Sequence, residues 1–183
     1  RRSERYIAVR QLADEQPEAP SAAGTYESTV SRITDGDTLH LETPVLGTTK
    51  VRFVNMDTAE TYTARNNDSS REEINANQKE HGEQAKAYLH ELLQPGEKVL
   101  IKVGEEPTDD YGRLLAEVIR AKDGVNANLE MVRKGHAVTY FIAPFDEAVY
   151  PDYQAAVKEA KDAGLGIWNP ENPLLELPFV FRA

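Results

Sequence analysis

The stretch "VSRITDGDTLHL", residues 30 to 41, places an Asp-Gly pair between two runs in which apolar and polar residues alternate. Such a pair between alternating runs is the strongest short-range indication of a tight β-hairpin. The turn accounts for Asp35 and Gly36. It does not account for Asp37, because a second carboxylate at the start of the next strand must be balanced by a cationic partner.

The same kind of pattern predicts the rest of the fold. Strands are predicted over residues 26–34, 38–43, 50–57, 97–103 and 113–121, with the longer turn "PVLGTT" between the second and the third. Helices are predicted over residues 78–93, 126–134 and 151–163, where apolar residues recur at helical spacing. Five strands with a helix after the third are typical of the OB-fold. We therefore predict an α+β domain, a five-stranded Greek-key barrel with three helices.

Three segments fall outside this pattern. Residues 1–24 are rich in proline, alanine and acids, which indicates an extended arm or linker before a domain that covers residues 25–170. Residues 171–183 then form a C-terminal extension. The polar residues 62–80 contain almost no apolar side chains, and we predict a long exposed loop there.

Composition limits the function classes. The chain has 183 residues, no cysteine and a formal net charge of −10. The absence of cysteine excludes thiol nucleophiles, cysteine-ligated zinc and disulfides. No apolar run is long enough to cross a bilayer. Few basic residues remain to neutralise phosphates along a nucleic acid, so any such substrate should be bound weakly and with a shallow salt dependence.

Two further clusters accompany Asp37. The stretch "VRFVNMDTAETY", residues 51–62, has Arg52 within a strand and ends in Asp57-Thr58-Ala59-Glu60. The stretch "TDDYGRLLAEV", residues 108–118, places Arg113 just after a hairpin turn. Each has an ordinary alternative, a helix cap for the acids and a surface position for the arginines. Together they fall at strand ends that one barrel would bring close to each other.

The acids suit a hard cation. Calcium binds six to eight oxygen ligands from carboxylates, carbonyls and water. A site with only two aspartates should bind calcium weakly, with a Kd on the order of 10⁻⁴–10⁻³ M. Magnesium is the second candidate ion. Zinc is disfavoured, because the four histidines lack ligand spacing.

The three clusters, in this order, resemble the staphylococcal nuclease family. The segments "HGEQAKAYL" (81–89) and "GLGIWN" (164–169) extend the resemblance to roughly residues 26–170. The resemblance implies an OB-fold phosphodiesterase that requires calcium and cleaves DNA and RNA with little sequence preference, leaving 3′-phosphates.

The resemblance also implies roles for residues at the first two clusters. Asp37 and Asp57 would be calcium ligands, together with the backbone carbonyl of Thr58. Glu60 would either position or deprotonate the attacking water. Residue 59 is alanine where most family members have proline, which removes rigidity but no ligand.

Substrate contacts follow in the same way. Arg52 and Arg113 would hold the phosphate and its developing charge, and Tyr111 and Tyr140 match family tyrosines near the bound nucleotide. Stacking on a base and packing in the core both remain open for these rings. Asp110 stands where well-known members have a lysine, which removes one expected phosphate contact.

A different class of function stays open beside the nuclease. The same barrel could be a non-catalytic nucleic-acid or protein-binding module within a larger surface protein. A test for calcium-dependent cleavage distinguishes this module from a nuclease. The chain begins with Arg1 and shows no signal sequence, so we expect a trimmed product. The resemblance favours a secreted or cell-surface location, and we expect a monomer.

Overall fold

The computed structural model describes residues 22–62 and 69–183. Within these ranges the strands are β1 (Gly24–Asp35), β2 (Thr38–Val45), β3 (Thr48–Phe53), β4 (Asn55–Asp57), β5 (Lys98–Thr108), β6 (Leu114–Arg120) and β7 (Val138–Tyr140). The helices are α1 (Glu72–Leu92), α2 (Ala127–Arg133), α3 (Tyr150–Asp162) and α4 (Pro178–Arg182). Two short 3₁₀ turns cover Glu147–Val149 and Gly166–Trp168.

Five strands close into a barrel in the order β1-β2-β3-β6-β5, with β5 pairing back to β1. The β3–β6 pair is parallel, and the other barrel pairs are antiparallel. Alternate side chains face inward, and the interior is filled by fully buried residues such as Val30, Leu39, Val51, Ile101 and Val118. This arrangement confirms the predicted α+β class and five-stranded barrel. In the described part of the chain, α1, α2 and α3 are the helices of seven residues or more.

The predicted third strand, residues 50–57, is divided in the structure. β3 stays in the barrel, whereas β4 leaves it and pairs with β7 in a two-stranded sheet. Asn55 takes a φ of 69° at this break, a left-handed conformation that asparagine tolerates. The expected long turn between the second and third strands was also wrong. Leu46 and Gly47, both with positive φ, form a two-residue hairpin turn there.

The predicted loop over residues 62–80 was wrong in its second half, because α1 begins at Glu72. Residues 63–68 lie outside the described residues. The first turns of α1 lack an apolar stripe, yet a set of polar side chains there is buried: Asn75, Asn77, Gln78 and His81. Three of them hydrogen-bond the C-terminal extension, so polar contacts replace the apolar face that the sequence prediction required.

The second half of α1 is an ordinary amphipathic helix. Ala85 and Leu89 are fully buried, and the helix packs against β1. Full burial of a leucine side chain contributes about 1.5–3 kcal/mol. α2 and α3 pack on each other beside the barrel, with Met131 and Tyr153 buried between these layers.

The structure describes the C-terminal end of the chain but only part of the N-terminal arm. Residues 1–21 of the arm predicted over residues 1–24 lie outside the described residues, and β1 begins at Gly24. At the other end, residues 171–183 run along α1 and finish in α4. Across residues 22–62 and 69–183, none of the helices has the length and apolar character that crossing a membrane requires.

Candidate active site

A cavity of about 900 Å³ opens where the barrel strands meet β4 and β7. At one end, here called the acid end, lie four carboxylates and two arginines: Asp35, Asp37, Asp57, Glu60, Arg52 and Arg182. The other end, here called the hairpin end, is the turn at residues 109–113 between β5 and β6. Acidic residues outnumber basic ones in the cavity lining, and substrate phosphates would meet a mostly negative surface.

The β1–β2 turn positions Asp37. The backbone N–H of Asp37 donates to the Asp35 carboxylate at 3.2 Å, the expected use of an aspartate in a turn. Gly36 does not adopt a positive φ, so the turn does not need its conformational freedom. It is needed for space, because a Cβ there would lie 2.7 Å from the Cβ of Ala85 and 3.0 Å from the Thr58 side chain. The glycine thus lets the turn pack against both α1 and the Asp57-Thr58 segment.

Arg52 projects from β3 and joins the two aspartates predicted to bind metal. Its guanidinium lies 3.0 Å from Asp37 Oδ2 and 3.1 Å from Asp57 Oδ1. It also donates to the backbone carbonyl of Phe53 at 2.9 Å. Arg52 is mostly buried and Asp57 is completely buried, so both charges need compensation from an ion pair.

The segment from Asp57 to Glu60 is held in place by α1. Gln78 accepts a hydrogen bond from the backbone N–H of Glu60 at 2.9 Å. Gly82 allows the close approach, because a Cβ there would lie 2.7 Å from the Glu60 carbonyl oxygen and 2.8 Å from that of Ala59. The polar half of α1, which the sequence prediction treated as loop, therefore supports the turn that carries Glu60.

Arg182 of α4 is a site residue that sequence reasoning missed. Its guanidinium forms a two-pronged ion pair with Asp57, with Nη1 at 3.0 Å from Oδ1 and Nη2 at 2.7 Å from Oδ2. Nη1 also lies 2.9 Å from Glu60 Oε1. Arginine forks of this kind are among the stronger protein ion pairs. Asp57 does not face the cavity, because Arg52 and Arg182 cover its oxygens.

Burial and neighbouring charges shift the pKa values of the carboxyl groups at the acid end. Burial, together with the Asp37 charge, raises the pKa of Asp35 to about 7. Burial alone would raise the pKa of Asp37, but the Arg52 charge and hydrogen bonds from Asp35 and Thr58 hold it below its usual value. Burial also raises the pKa of Glu60, against the opposing hydrogen bond from Arg182. A carboxylate whose pKa moves toward neutrality is better suited to accept a proton from water.

The hairpin end is open and held by one carboxylate. Asp109 accepts hydrogen bonds from the Arg113 backbone N–H at 2.9 Å and from Arg113 Nε at 2.8 Å. The Arg113 guanidinium also lies over the ring of Tyr111, 5.4 Å from its centre. Tyr111 is 84% exposed and is not part of the cavity lining. Core packing is therefore excluded for Tyr111, whereas Arg113 faces the cavity.

Tyr140 of β7 lines the cavity at a different point. Its ring stacks on Phe179 of α4, with centres 5.9 Å apart and planes 15° apart. The cavity therefore brings together Asp37, Arg52, Glu60, Arg113 and Tyr140. Asp57 and Thr58 lie buried beneath it, and Tyr111 lies outside it.

The donor set at the acid end fits a hard cation. Even with Asp35 protonated, three carboxylates face two guanidinium groups there, so the cluster keeps a negative excess. Arg182 already acts as a stand-in cation between Asp57 and Glu60. In the described residues no three His, Asp or Glu side chains converge closely enough to hold a metal ion by themselves. A cation would have to draw on Asp37, Asp57, a backbone carbonyl such as that of Thr58, and water.

Comparison with known proteins identifies the class. The sequence model described as "Staphylococcal nuclease homologue" matches residues 50–170, more than half of the chain. The chain belongs to the staphylococcal nuclease family, as its motifs predicted.

Two relatives carry names that state an activity. The chain is 53% identical over 173 residues to a protein named "Endonuclease YhcR" from Bacillus subtilis (strain 168), covering 94% of this chain and 14% of that protein. It is 32% identical over 145 residues to an "Uncharacterized endonuclease" from Haemophilus influenzae, covering 79% of this chain and 67% of that protein. The chain is thus a homologue of endonucleases, and it spans about a seventh of the length of YhcR.

Three supporting residues escaped the sequence prediction: Asp35, Gln78 and Arg182. Asp35 was explained by the turn alone. Gln78 lay at the border between the predicted loop and helix. Arg182 lies in the extension, where the apolar run "LPFVF" before it is the one signal that this segment docks on the domain.

Proposed function

We propose that this chain is a calcium-dependent nuclease that hydrolyses phosphodiester bonds of DNA and RNA without sequence specificity and leaves 3′-phosphates. The observation that carries the proposal is the acid end itself. Asp37, Asp57 and Glu60 gather around two guanidinium groups, next to a cavity that also receives Arg113. Family membership and the endonuclease homologues support the reaction class.

Each residue has a chemical task in this proposal. Asp37 and Asp57, with the Thr58 carbonyl, would hold calcium, which when bound supplies positive charge to the phosphate and to the attacking oxygen. Glu60 positions a water and accepts its proton as the oxygen attacks phosphorus. The phosphoryl oxygens gain negative charge in the transition state, and guanidinium groups offset that charge. We assign this task to Arg52 and Arg113.

Product chemistry follows from the bond that breaks. Leaving a 3′-phosphate requires the bond between phosphorus and the 5′ oxygen of the next nucleotide to break, with a proton supplied to that oxygen. Tyr140 lies in the cavity wall and can stack on a base without reading its identity. Tyr111 is exposed at the rim of the hairpin end and offers a second stacking surface.

The mostly negative lining favours weak substrate binding. Few phosphates would be neutralised outside the acid and hairpin ends, so affinity should fall only modestly with salt. A weak calcium site suits a place where the ion is abundant, with a Kd on the order of 10⁻⁴–10⁻³ M as in extracellular modules. We therefore propose action outside the cell or at its surface.

The test is digestion of denatured DNA and of RNA with calcium, with magnesium and with a chelator. We expect cleavage with calcium, little with magnesium and none with the chelator. Glu60→Gln should lower the cleavage rate by about 10²-fold or more, the usual range for a lost general base. Glu83→Gln, an exposed position on α1, is the matched control and should cleave like the parent.

Product ends give a second readout. If the products carry 3′-phosphates, a polymerase will extend them only after phosphatase treatment. Products that are extended at once would contradict the proposed bond cleavage. A folded protein that cleaves with none of the ions would contradict the nuclease proposal and favour the non-catalytic binding module.

A further inference from the structure

Residues 171–183, here called the tail segment, are fixed to the domain mainly through α1. Glu176 forms a two-pronged ion pair with Arg71, both bonds at 2.8 Å. The side chain of Asn77 donates to the Pro173 carbonyl and accepts from the backbone N–H of Leu175, both at 2.9 Å. These contacts hold residues 172–176 firmly, so the following residues are always delivered to the same face of the domain.

The last turn of the tail segment enters the acid end. Arg182 engages both oxygens of Asp57 and one oxygen of Glu60 at distances of 2.7–3.0 Å. A hard divalent cation is held by carboxylate oxygens at about 2.3–2.6 Å. Both Asp57 oxygens already accept hydrogen bonds from guanidinium groups, Oδ1 from Arg52 and Arg182 and Oδ2 from Arg182, so a cation at Asp57 would compete with Arg182 for them.

The tail segment also contacts Tyr140, the tyrosine that lines the cavity among the described residues. Phe179 lies nearly parallel to Tyr140, the arrangement that a stacked base would adopt. Phe181 is buried and contacts the ring of Tyr62, with centres 5.8 Å apart. One short helix thus places a positive charge on the metal-binding acids and an aromatic ring on a nucleotide-binding surface.

The helix that does this is weakly held. α4 has five residues, too few for a helix to be stable without tertiary contacts. Leu177, Phe179 and Val180 are each more than two-fifths exposed, and α4 is attached through its buried residues Pro178 and Phe181 and through the ion pairs of Arg182. Losing the Arg182 contacts would remove the polar part of this attachment and weaken the docking of α4, while the contacts of residues 172–176 with Arg71 and α1 stay in place.

We propose that the tail segment is an internal competitor for the active site: Arg182 occupies the position of the cation at Asp57 and Glu60, so that cation binding and release of α4 are linked. This inference rests on the proposed function, since it takes Asp57 as a metal ligand. Linkage is reciprocal, so the docked tail weakens cation binding by the same factor as the cation weakens docking. Release of α4 also withdraws Phe179 from Tyr140.

The first test measures calcium affinity by titration calorimetry on the 183-residue parent and on Arg182→Gln. Because Arg182→Gln removes the guanidinium that competes for Asp57 and Glu60, calcium binding should tighten about tenfold or more. Val180→Thr lies in the same helix without contacting the acids and should bind calcium like the parent. Equal or weaker affinity in Arg182→Gln would overturn the competition.

The second test needs no variant. Hydrogen exchange of the parent is followed in residues 177–183 with and without saturating calcium. We expect at least about tenfold faster exchange there with calcium and unchanged protection in residues 172–176. Calcium binding that leaves exchange in α4 unchanged would overturn the proposal and would assign any affinity gain of Arg182→Gln to simple charge removal.

The outcomes also separate this inference from the proposed function. If neither the parent nor Arg182→Gln binds calcium, both the proposed function and the competition fail. If both bind calcium equally and cleave DNA, only the competition fails. Tighter binding together with faster exchange in α4 supports both.

Discussion

The acid end and the hairpin end of the cavity each contribute one arginine predicted to hold the phosphate, but the two are built differently. Arg52 is mostly buried, lies between Asp37 and Asp57, and belongs to a barrel strand. Arg113 is more exposed, pairs with Asp109 alone, and belongs to a turn. The same proposed role, holding the phosphate, therefore comes with different roles in folding. We therefore expect substitution of Arg52 to lower stability and activity together, and substitution of Arg113 to lower activity alone.

The largest expected effect is at Arg52. Arg52→Met removes the counter-charge of buried Asp37 and leaves Asp57 with Arg182, and breaking a buried ion pair from one side costs about 3–5 kcal/mol. We expect the free energy of unfolding, measured in urea with a chelator present, to fall by that amount. Arg52→Lys keeps the charge but loses the fork and should lose less. If the free energy of unfolding of Arg52→Met fell by less than about 1 kcal/mol, Arg52 would be no more important for stability than Arg113, and the proposed difference between the two ends would be wrong.

Arg113→Met should leave stability nearly unchanged but strongly lower the rate of DNA cleavage. Its pair with Asp109 is partly exposed, so the free energy of unfolding should change by less than about 1 kcal/mol. The rate of DNA cleavage should fall by about 10²-fold or more, since a donor to the developing charge is lost. Arg133→Met, which removes a surface pair on α2, is the control for loss of an arginine. Full activity in Arg113→Met would show that the hairpin end takes no part in the chemistry.

Features recorded in a local sequence pattern could be predicted, whereas features that depend on a distant partner could not. The barrel strands were predictable because alternation along each strand reflects burial of alternate side chains, as with Leu39 and Val51. Asp37, Asp57, Glu60 and the arginines Arg52 and Arg113 were predicted from short motifs shared with a family. The polar start of α1 was not, because Asn77 and Gln78 are buried against a segment about a hundred residues away. No local pattern records such a partner, and for the same reason Arg182 was missed.

Two glycines test how closely α1 packs against the acid end, with the glycine of strand β5 as the reference. Gly82→Ala puts a Cβ within 2.8 Å of two backbone carbonyl oxygens in the Asp57–Glu60 segment. Overpacking against backbone costs about 1–3 kcal/mol, more than the helix preference of alanine returns. Gly104→Ala in β5 meets nothing within 4 Å and should be neutral or slightly stabilising. Urea unfolding of both variants checks this, and equal stabilities would mean that α1 does not constrain the acid end.

The smallest expected effect is a pH dependence of the free energy of unfolding that comes from His136, outside both ends of the cavity. This contribution must be subtracted before the stabilities of variants at the two ends are compared at different pH values. Burial, with the nearby charge of His81, lowers the pKa of His136 from 6.5 to about 4. Between these values the unfolded chain binds a proton that the folded protein does not, so stability falls as pH drops from about 6.5 toward 4. We expect a loss of about 2 kcal/mol after solvent screening.

His136→Phe keeps a ring to stack on Tyr88 but cannot titrate. Its unfolding free energy, measured by urea at several pH values, should fall less steeply than that of the parent over this range. An identical slope in both proteins would mean that His136 is not kept neutral in the fold, and that the slope belongs to other groups.

The most direct test of the whole account is a crystal structure of the protein with calcium, with the ion located by its anomalous scattering. We expect an ion bound by Asp37, Asp57 and the Thr58 carbonyl, with Arg182 no longer within hydrogen-bonding distance of Asp57. An ion-free acid end at saturating calcium, with Arg182 still on both Asp57 oxygens, would contradict both the metal site and the competition for it.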